Sequence, residues 1–379
     1  MYTTLCTYKC IVDDDVDEFK AVQAMRLQAR YQSAHYQLIV NPTMDCNLGC
    51  WYCYESHIKD SELSQETAER IIRHLHVRYA QNPFKTLNVS FSGGEPLLKE
   101  NVVCYLLQAS KAFCDARDIS MTVGFTTNCT VLSDHMLNVL KDYSVDFQIT
   151  LDGDKAKHDT VRHYKNSDIG SYDKIINNLH RIATTLRNYV VCLRLNCDDH
   201  TLDHAQELLD SVDFVDSQHF YMRLHKVWQV DSANIDYGQF LEFIAMARKK
   251  GIRTEFQPLT DMKPYVCYAD IYGCAVINYD GNIFKCTARK FSVDNAEGVL
   301  TQDGSILWNV ERIQRRLMCV APVVCRQCKI YPACQGFCPQ HKLEMIGHQN
   351  DGQYCPVQKD FSIDKYILLN FQQQYIQGS

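Results

Sequence analysis

The chain has 379 residues and lacks a membrane span: nowhere do about 18 apolar residues follow one another, as a bilayer-crossing helix requires. It also lacks an excess of positive charge. Thirty-nine Lys and Arg against 45 Asp and Glu leave a formal net charge of −6, which argues against the broad basic face of a general nucleic-acid binder. Prolines number only nine, and no internal repeat or low-complexity segment is evident. The opening "MYTTLCTYKCIVDDDVDEF" has no basic stretch leading into an apolar core. It does not read as a secretion signal, so the expected compartment is the cytoplasm. With 46% hydrophobic and 22% charged residues, the composition is that of a globular protein of one large and one small domain, or of two to three ordinary ones.

Cysteine, by contrast, is abundant, at 19. Disulfide frameworks belong to small secreted domains, whereas clustered cysteines in a cytoplasmic chain point to metal. The distribution is clustered. Cys46, Cys50 and Cys53 form one group, and Cys325, Cys328, Cys334 and Cys338 another, with Cys267, Cys274, Cys286 and Cys355 flanking the second. The other eight (Cys6, Cys10, Cys104, Cys114, Cys129, Cys192, Cys197 and Cys319) are scattered and read mostly as small buried apolar residues.

From residue 36, strand-like runs alternate with helical patterns. Runs rich in Val, Ile, Phe, Tyr and Thr at 36–43, 86–92, 120–128, 145–153, 189–196 and 219–227 predict six strands. Helical periodicity marks 64–81, 99–115, 133–142, 171–187, 201–211 and 235–250, the first opening on a capping signature at Ser64 with Glu66 and Thr67. Six such repeats imply an α/β fold with a parallel sheet, either a full or partial barrel or an open doubly wound sheet. Residues 1–35 suggest a strand and an amphipathic helix. Past about residue 260, short segments punctuated by Cys, Gly, Pro and Tyr suggest a small metal-held module, and 359–374 a closing helix.

Thiolates suit zinc or iron–sulfur clusters. A structural zinc site needs four ligands, and near "CNLGCWYCYE" (46–55) only His57 offers a fourth, two residues on from Glu55. Three thiolates on a four-iron cluster would instead leave one iron without a protein ligand, the open position that a catalytic centre needs.

The C-x3-C-x2-C spacing after the first strand resembles the radical S-adenosylmethionine (radical SAM) superfamily. Tyr52 matches the aromatic residue usual before the third cysteine. "SFSGGEP" (90–96) matches the family's GGEP run at the end of the second strand. The resemblance implies that Cys46, Cys50 and Cys53 hold a [4Fe–4S] cluster whose free iron binds SAM, with Gly93, Gly94 and Glu95 at the methionine amino group. Two glycines allow close backbone approach to a ligand, and Glu95 pairs with an ammonium. "TTN" (126–128) and "LDGDKAKHDTVR" (151–162) end the third and fourth strands, the latter similar to the family's DGxxxxHDxxR stretch. Ligands gather at the carboxyl ends of such strands. Asn128, Asp152, His158, Asp159, Arg162 and, after the fifth strand, Asn196 are therefore expected to line SAM and substrate.

"CRQCKIYPACQGFC" (325–338), with Cys355 beyond it and "CAVINYDGNIFKC" (274–286) before it, resembles the SPASM module of a subset of these enzymes. Carried over by position, one auxiliary [4Fe–4S] cluster takes Cys267, Cys274, Cys286 and Cys338, and a second takes Cys325, Cys328, Cys334 and Cys355. A zinc ribbon is the competing reading of any CxxC pair. The implied organisation is an extension (1–35), a partial (β/α)6 TIM-like barrel (36–260), a SPASM domain (261–358), and a helix and tail (359–379).

The family reaction implied is reductive cleavage of SAM to a 5′-deoxyadenosyl radical that abstracts hydrogen from a peptide or protein. SPASM enzymes mostly mature ribosomally made peptides, by thioether or carbon–carbon crosslinks, or sulfatases. Sulfatase maturases carry an Asp base directly after the cysteine that corresponds to Cys286. Thr287 stands there and has no useful basicity, which favours a peptide maturase. The alternatives are an anaerobic sulfatase-maturating enzyme, a peptide epimerase using Cys129 or Cys197 as hydrogen donor, and a non-enzymatic iron–sulfur protein. Expected partners are the peptide substrate and an electron donor such as flavodoxin or ferredoxin. Residues 1–35 are too few for a leader-binding domain, so leader recognition, where needed, falls to that short segment or to a separate protein. Trp228 is expected in a peptide groove or packed between domains.

Overall fold

The computed structural model describes residues 13–227, 237–256, 266–318, 323–336, 338–345, 355, 363–364 and 367–368. Cys6, Cys10, Cys319, Trp228, the strand expected near the N-terminus and most of the expected closing helix lie outside them. Six strands form where alternation predicts them: β1 (His35–Asn41), β2 (Thr86–Phe91), β3 (Ser120–Thr127), β4 (Val145–Thr150), β5 (Tyr189–Cys197) and β6 (Phe220–Lys226). They pair in parallel and in chain order. A doubly wound sheet reverses its order at a switch point. Here nothing reverses, so the winding is that of a barrel.

A seventh parallel strand, β7 (Arg253–Phe256), extends β6. Sequence patterning missed it because it has four residues, two of them charged, and Glu255 is neutralised only across the sheet, by Arg223 at 2.7 Å. On the other side β1 pairs in parallel with β8 (Cys274–Asn278), followed by antiparallel β9 (Asn282–Phe284), β10 (Gly298–Leu300) and β11 (Ile306–Trp308). The result is one open sheet of eleven strands, a partial barrel that does not close on itself among the described residues.

Strand side chains alternate between faces. One face of β2–β6 carries Val89, Phe91, Val123, Phe125, Phe147, Ile149, Leu193 and Leu224, packed with apolar residues of the helices into the main core. Phe91, Phe125 and Phe147 stack across three strands at 5.3 and 5.6 Å. The helices are α1 (Glu18–Arg30), α2 (Gln65–Gln81), α3 (Glu100–Asp115), α4 (Asp134–Leu140), α5 (Lys155–Val161), α6 (Tyr172–Thr185), α7 (Ala205–Ser211) and α8 (Tyr237–Lys249). Ser64 caps α2 as expected, its Oγ accepting from Thr67 N at 3.1 Å, while Glu66 faces outward and accepts from Gln302. The other sheet face bears Asn88, Ser90, Thr122, Gln148, Thr150, Arg194, Asn196 and Arg223, polar groups unfit for a core. Period-2 alternation thus yields an apolar wall and a polar cleft from the same strands. None of the described helices is long and apolar enough to cross a membrane.

The change of style near residue 260 does not interrupt the sheet. Ala275, Ile277, Ile283 and Leu300 belong to the main core. Helix α1 docks on the C-terminal cysteine segment: Phe19 stacks on Tyr331 at 4.7 Å, and Val22 and Tyr331 cluster with Cys325 and Cys328. Arg26 and Arg30 meet Asp270 at 3.5 and 3.1 Å, all three buried.

Candidate active site

The loop leaving β1 carries Cys46, buried, and Cys50 and Cys53, half-buried. Hydrogen bonds and an ion pair brace it. Asp45 accepts from Cys46 N at 2.8 Å and Asp60 N at 3.2 Å, and receives Lys165 at 3.4 Å. Gly49 N donates to His163 O at 2.9 Å, and Lys165 N to Asn47 O at 2.9 Å. His57 Nε2 lies 3.5 Å from Cys53 Sγ, yet these thiols and His57 do not draw together as ligands of one ion. Among the described residues, the one group of three or more donor atoms within 4.8 Å of one another is Glu100 and Cys104 on α3 with His135 on α4. Thiols spread more widely than a single ion requires fit a multi-iron cluster. Burial, then the nearby Glu95 charge, pushes the Cys46 thiol up to about 12. A metal is needed to draw out its thiolate.

The GGEP run crosses directly beneath this loop. Gly94 N donates to Thr43 O at 3.1 Å and Glu95 N to Asp45 O at 2.8 Å. A Cβ on Gly93 (φ +102°) would stand 2.3 Å from Thr43 O, and one on Gly94 2.1 Å from Asp45 O. The close approach that these glycines permit is thus to the backbone of the cysteine loop itself. Glu95 is fully buried; Oε1 accepts from Leu97 N at 3.0 Å and Thr127 Oγ1 at 2.7 Å, and Oε2 from Asn128 N at 2.7 Å. Burial raises its pKa, against those hydrogen bonds and Arg162. Asn128 Nδ2 reaches Asn47 Oδ1 at 2.8 Å and lies 3.7 Å from Cys46 Sγ.

Tyr52, Asp152, Arg162 and Asn196 form one network. The Tyr52 hydroxyl donates to Asp152 and accepts from Arg162 Nη1 at 2.8 Å and Asn196 Nδ2 at 3.1 Å. Asp152 Oδ1 also accepts from Asn196 N at 3.0 Å and Nδ2 at 3.3 Å. Burial raises the Asp152 pKa, and Arg162 opposes it. The motif's other two residues stand behind the site. His158 accepts from Asp152 N at 3.2 Å and donates to Ser171 Oγ at 3.0 Å, and burial holds it neutral. Asp159 accepts from Tyr172 N at 2.9 Å, at the start of α6. They shape the site without lining it.

A cleft with a cavity of about 120 Å³ is lined by the three cysteines, Tyr52, Gly93, Gly94, Asn128, Arg162 and Asn196, while Glu95 and Asp152 are buried behind that lining. Sequence reasoning missed Glu55, Gln148, Thr150, Arg194 and Lys226, which also line it. For Gln148, Thr150 and Arg194 the signal was there, since each shares a strand face with a polar site residue. Glu55 Oε2 is buried without a hydrogen-bond partner among the described residues, and burial pushes the Glu55 pKa up to about 9.

The remaining cysteines are free thiols, and the structure brings eight of them into two groups. Cys267 feels the charges of Cys286 and Cys338, and Cys274, fully buried in β8, that of Cys286. Cys334 feels Cys325, Cys328 and Cys355, and Ile330 packs against Cys328, Cys334 and Cys355. Burial is the leading cause that pushes Cys267 and Cys334 each up to about 12. Of the hydrogen-donor candidates, Cys129 and Cys197 pack in the apolar core; Cys192 is the scattered cysteine on the polar face of β5, beside Tyr221.

Residues 40–212 match the family model described as Radical SAM superfamily. An uncharacterized protein of Methanocaldococcus jannaschii is 26% identical over 140 residues, 36% of this chain and 46% of the relative. The chain spans less than half the length of that relative. A cysteine-type anaerobic sulfatase-maturating enzyme of Clostridium novyi is 21% identical over 362 residues, 86% of this chain and 93% of the relative. Among solved structures, native anSMEcpe with bound AdoMet and Cp18Cys peptide superposes with a TM-score of 0.68 at 16% identity, covering 90% of this chain and 99% of that one. Streptococcus suis SuiB bound to precursor peptide SuiA gives 0.61 at 14% identity, covering 89% and 80%. The chain thus shares the fold of these two structures along most of its length, and its residues 40–212 match a radical SAM domain.

Proposed function

We propose that the chain is a radical SAM enzyme of the SPASM type that abstracts hydrogen from a peptide or protein, in the maturation of a ribosomally made peptide. One observation carries this reading. Three thiols too dispersed for one ion line a cleft with Tyr52, Arg162 and Asn196, which the buried Asp152 ties together, and the Glu95 carboxylate lies buried behind Gly94. Cys46, Cys50 and Cys53 would hold the cluster. Glu95 would receive the SAM ammonium, Arg162 its carboxylate, and Asn128, Asp152 and Asn196 its remaining polar groups. Bound there, the cluster and SAM supply a 5′-deoxyadenosyl radical. The chain's own residues bind, orient and screen: Tyr52 keeps Asp152 and Arg162 in fixed register, and Gly93 and Gly94 press the cysteine loop onto Glu95.

Two auxiliary [4Fe–4S] clusters, on Cys267, Cys274, Cys286 and Cys338 and on Cys325, Cys328, Cys334 and Cys355, complete the proposed cofactor set. Flavodoxin or ferredoxin is the proposed electron donor. The peptide class is supported by the names of the similar proteins, one a sulfatase-maturating enzyme and one bound to its precursor peptide. Between these two, Thr287 favours the peptide maturase. Its hydroxyl sits 2.6 Å from the Tyr268 hydroxyl and offers no base.

Anaerobic reconstitution is the test. About twelve irons per chain, as three Cys-ligated four-iron clusters require, and dithionite-dependent 5′-deoxyadenosine are expected. Iron-free protein holding stoichiometric zinc would sink the reading. Replacing Cys46, Cys50 and Cys53 together by Ala should abolish SAM cleavage and leave the fold, because hydrogen bonds alone brace their loop. Loss of two hydrogens from a candidate peptide marks a crosslink.

A further inference from the structure

Three arginines stand in the cleft or on the polar sheet face beside it, Arg162 after helix α5, Arg194 on β5 and Arg223 on β6, and two are matched. Arg162 lies in the network with Asp152, and Arg223 is paired with Glu255 through Nε at 3.1 Å and Nη2 at 2.7 Å. Arg194 differs. Its side chain is half-buried in the cleft wall, and its Nε donates to Asn196 Oδ1 at 2.8 Å. No carboxylate among the described residues pairs with it. Asn196 turns its amide nitrogen toward Tyr52 and Asp152, so it links Arg194 to that network through an amide and not through a carboxylate.

We propose that Arg194 is a recognition site for a side-chain carboxylate, an Asp or Glu, on the peptide substrate. This rests on the function proposed above and names the substrate's chemistry. A guanidinium tied down through Nε keeps its two terminal nitrogens as a preset fork, the geometry that takes a carboxylate in two parallel hydrogen bonds. The tether is itself rigid. Asn196 is fixed by Tyr52 and Asp152, so the anion bound at Arg194 is held in register with the residues assigned to SAM. A partly desolvated cation without a counter-ion is costly to maintain, and a ligand that brings the counter-charge recovers that cost on binding. Lys226, on the adjoining strand, lines the same cleft and adds positive potential there.

The test uses the full-length, reconstituted holoenzyme with SAM, immobilised anaerobically. It is offered an equimolar mixture of two synthetic peptide libraries, randomised apart from a fixed central Asp in one and Asn in the other. Recovery of the Asp library should exceed that of the Asn library by about tenfold or more, the range of a charge-assisted pair. The preference should vanish in Arg194→Gln and persist, weakened, in Arg194→Lys. Iron content and SAM affinity should match the wild type in both variants. Equal recovery of the two libraries overturns the proposal. A tenfold loss of SAM affinity in Arg194→Gln also overturns it, since Arg194 would then hold the SAM carboxylate. Wild type without clusters or SAM binding would instead refute the wider reading.

Discussion

Glu95 and Gly94 are adjacent and answer opposite demands of one crowded spot. Glu95 is a carboxylate removed from water, tolerable because three protein donors point at it. Gly94 has no side chain because Asp45 occupies the space, the virtual Cβ standing 2.1 Å from its carbonyl oxygen and 2.5 Å from its carbon. Both obstacles are backbone and cannot rotate away. Gly94→Ala should therefore push the cysteine loop off the sheet, at a cost of about 1–3 kcal/mol as for other overpacked sites. The expected outcome is a lower thermal midpoint together with iron missing from the first cluster only. A variant with wild-type iron and midpoint would show that the loop yields freely. That the glycines serve the loop was hidden in sequence, where a Gly-Gly pair announces close approach but not what approaches.

Among the elements, helices α1 and α2 bind the N-terminal half to the C-terminal segment, each through a buried polar group. Asp270 faces both Arg26 and Arg30, and Arg26 also donates to the carbonyl of Gln335, next to Cys334. Removing the acid leaves two buried guanidinium groups uncompensated. Asp270→Asn should cost about 3–5 kcal/mol, as for other broken buried ion pairs. Hydrogen exchange should read it as rapid opening of residues 18–30. Exchange like the wild type's would mean that the arginines find other partners. In α2, His74 donates from Nδ1 to Gly304 O at 2.8 Å and accepts from the Tyr36 hydroxyl at 2.6 Å. Burial, chiefly, lowers its pKa to about 4. The folded state keeps this ring neutral while the unfolded chain takes up a proton near the ordinary value of about 6.5. Its contribution is therefore whole above pH 6.5 and is lost as pH falls through 4, worth about 3 kcal/mol at about 1.4 kcal/mol per pKa unit. Urea midpoints from pH 7 to 4 should fall more steeply for wild type than for His74→Gln. Parallel slopes would remove His74 from the acid response.

The eleven-stranded sheet makes the molecule one structure despite its change of composition near residue 260. β8 lies against β1 over five residue pairs, and Ile277, Ile283 and Leu300 enter the main core. A chain ending after Phe256 would expose the open edge of β1 and the apolar surface those residues cover, inviting edge-to-edge association. Such a truncation should be insoluble or aggregated by size-exclusion chromatography. A soluble monomer with cooperative unfolding would show instead that the barrel strands suffice alone. The same continuity joins the C-terminal cysteines to the barrel: Cys274 opens the strand that pairs with β1, opposite Gln37, while the loop of Cys46 leaves the other end of β1.

By itself the sequence determined the strands, because alternation and β-branched residues record which face each side chain must take. It also determined the cysteine triplet, the C-x2-C-x5-C-x3-C run and the GGEP run, because spacing within a loop is a local property. Local signals said nothing of partners distant in the chain. The strand order that separates a barrel from a doubly wound sheet, and the passage of β8 alongside β1, are long-range pairings and appear only in three dimensions. The sorting of "HDTVR" into two supporting residues and one cleft residue depends on neighbours such as Ser171 and Tyr52 that no spacing predicts. The same is true of Arg194. Its place on the strand was legible, but that no acid among the described residues pairs with it is a fact about the other charges that the fold brings near it.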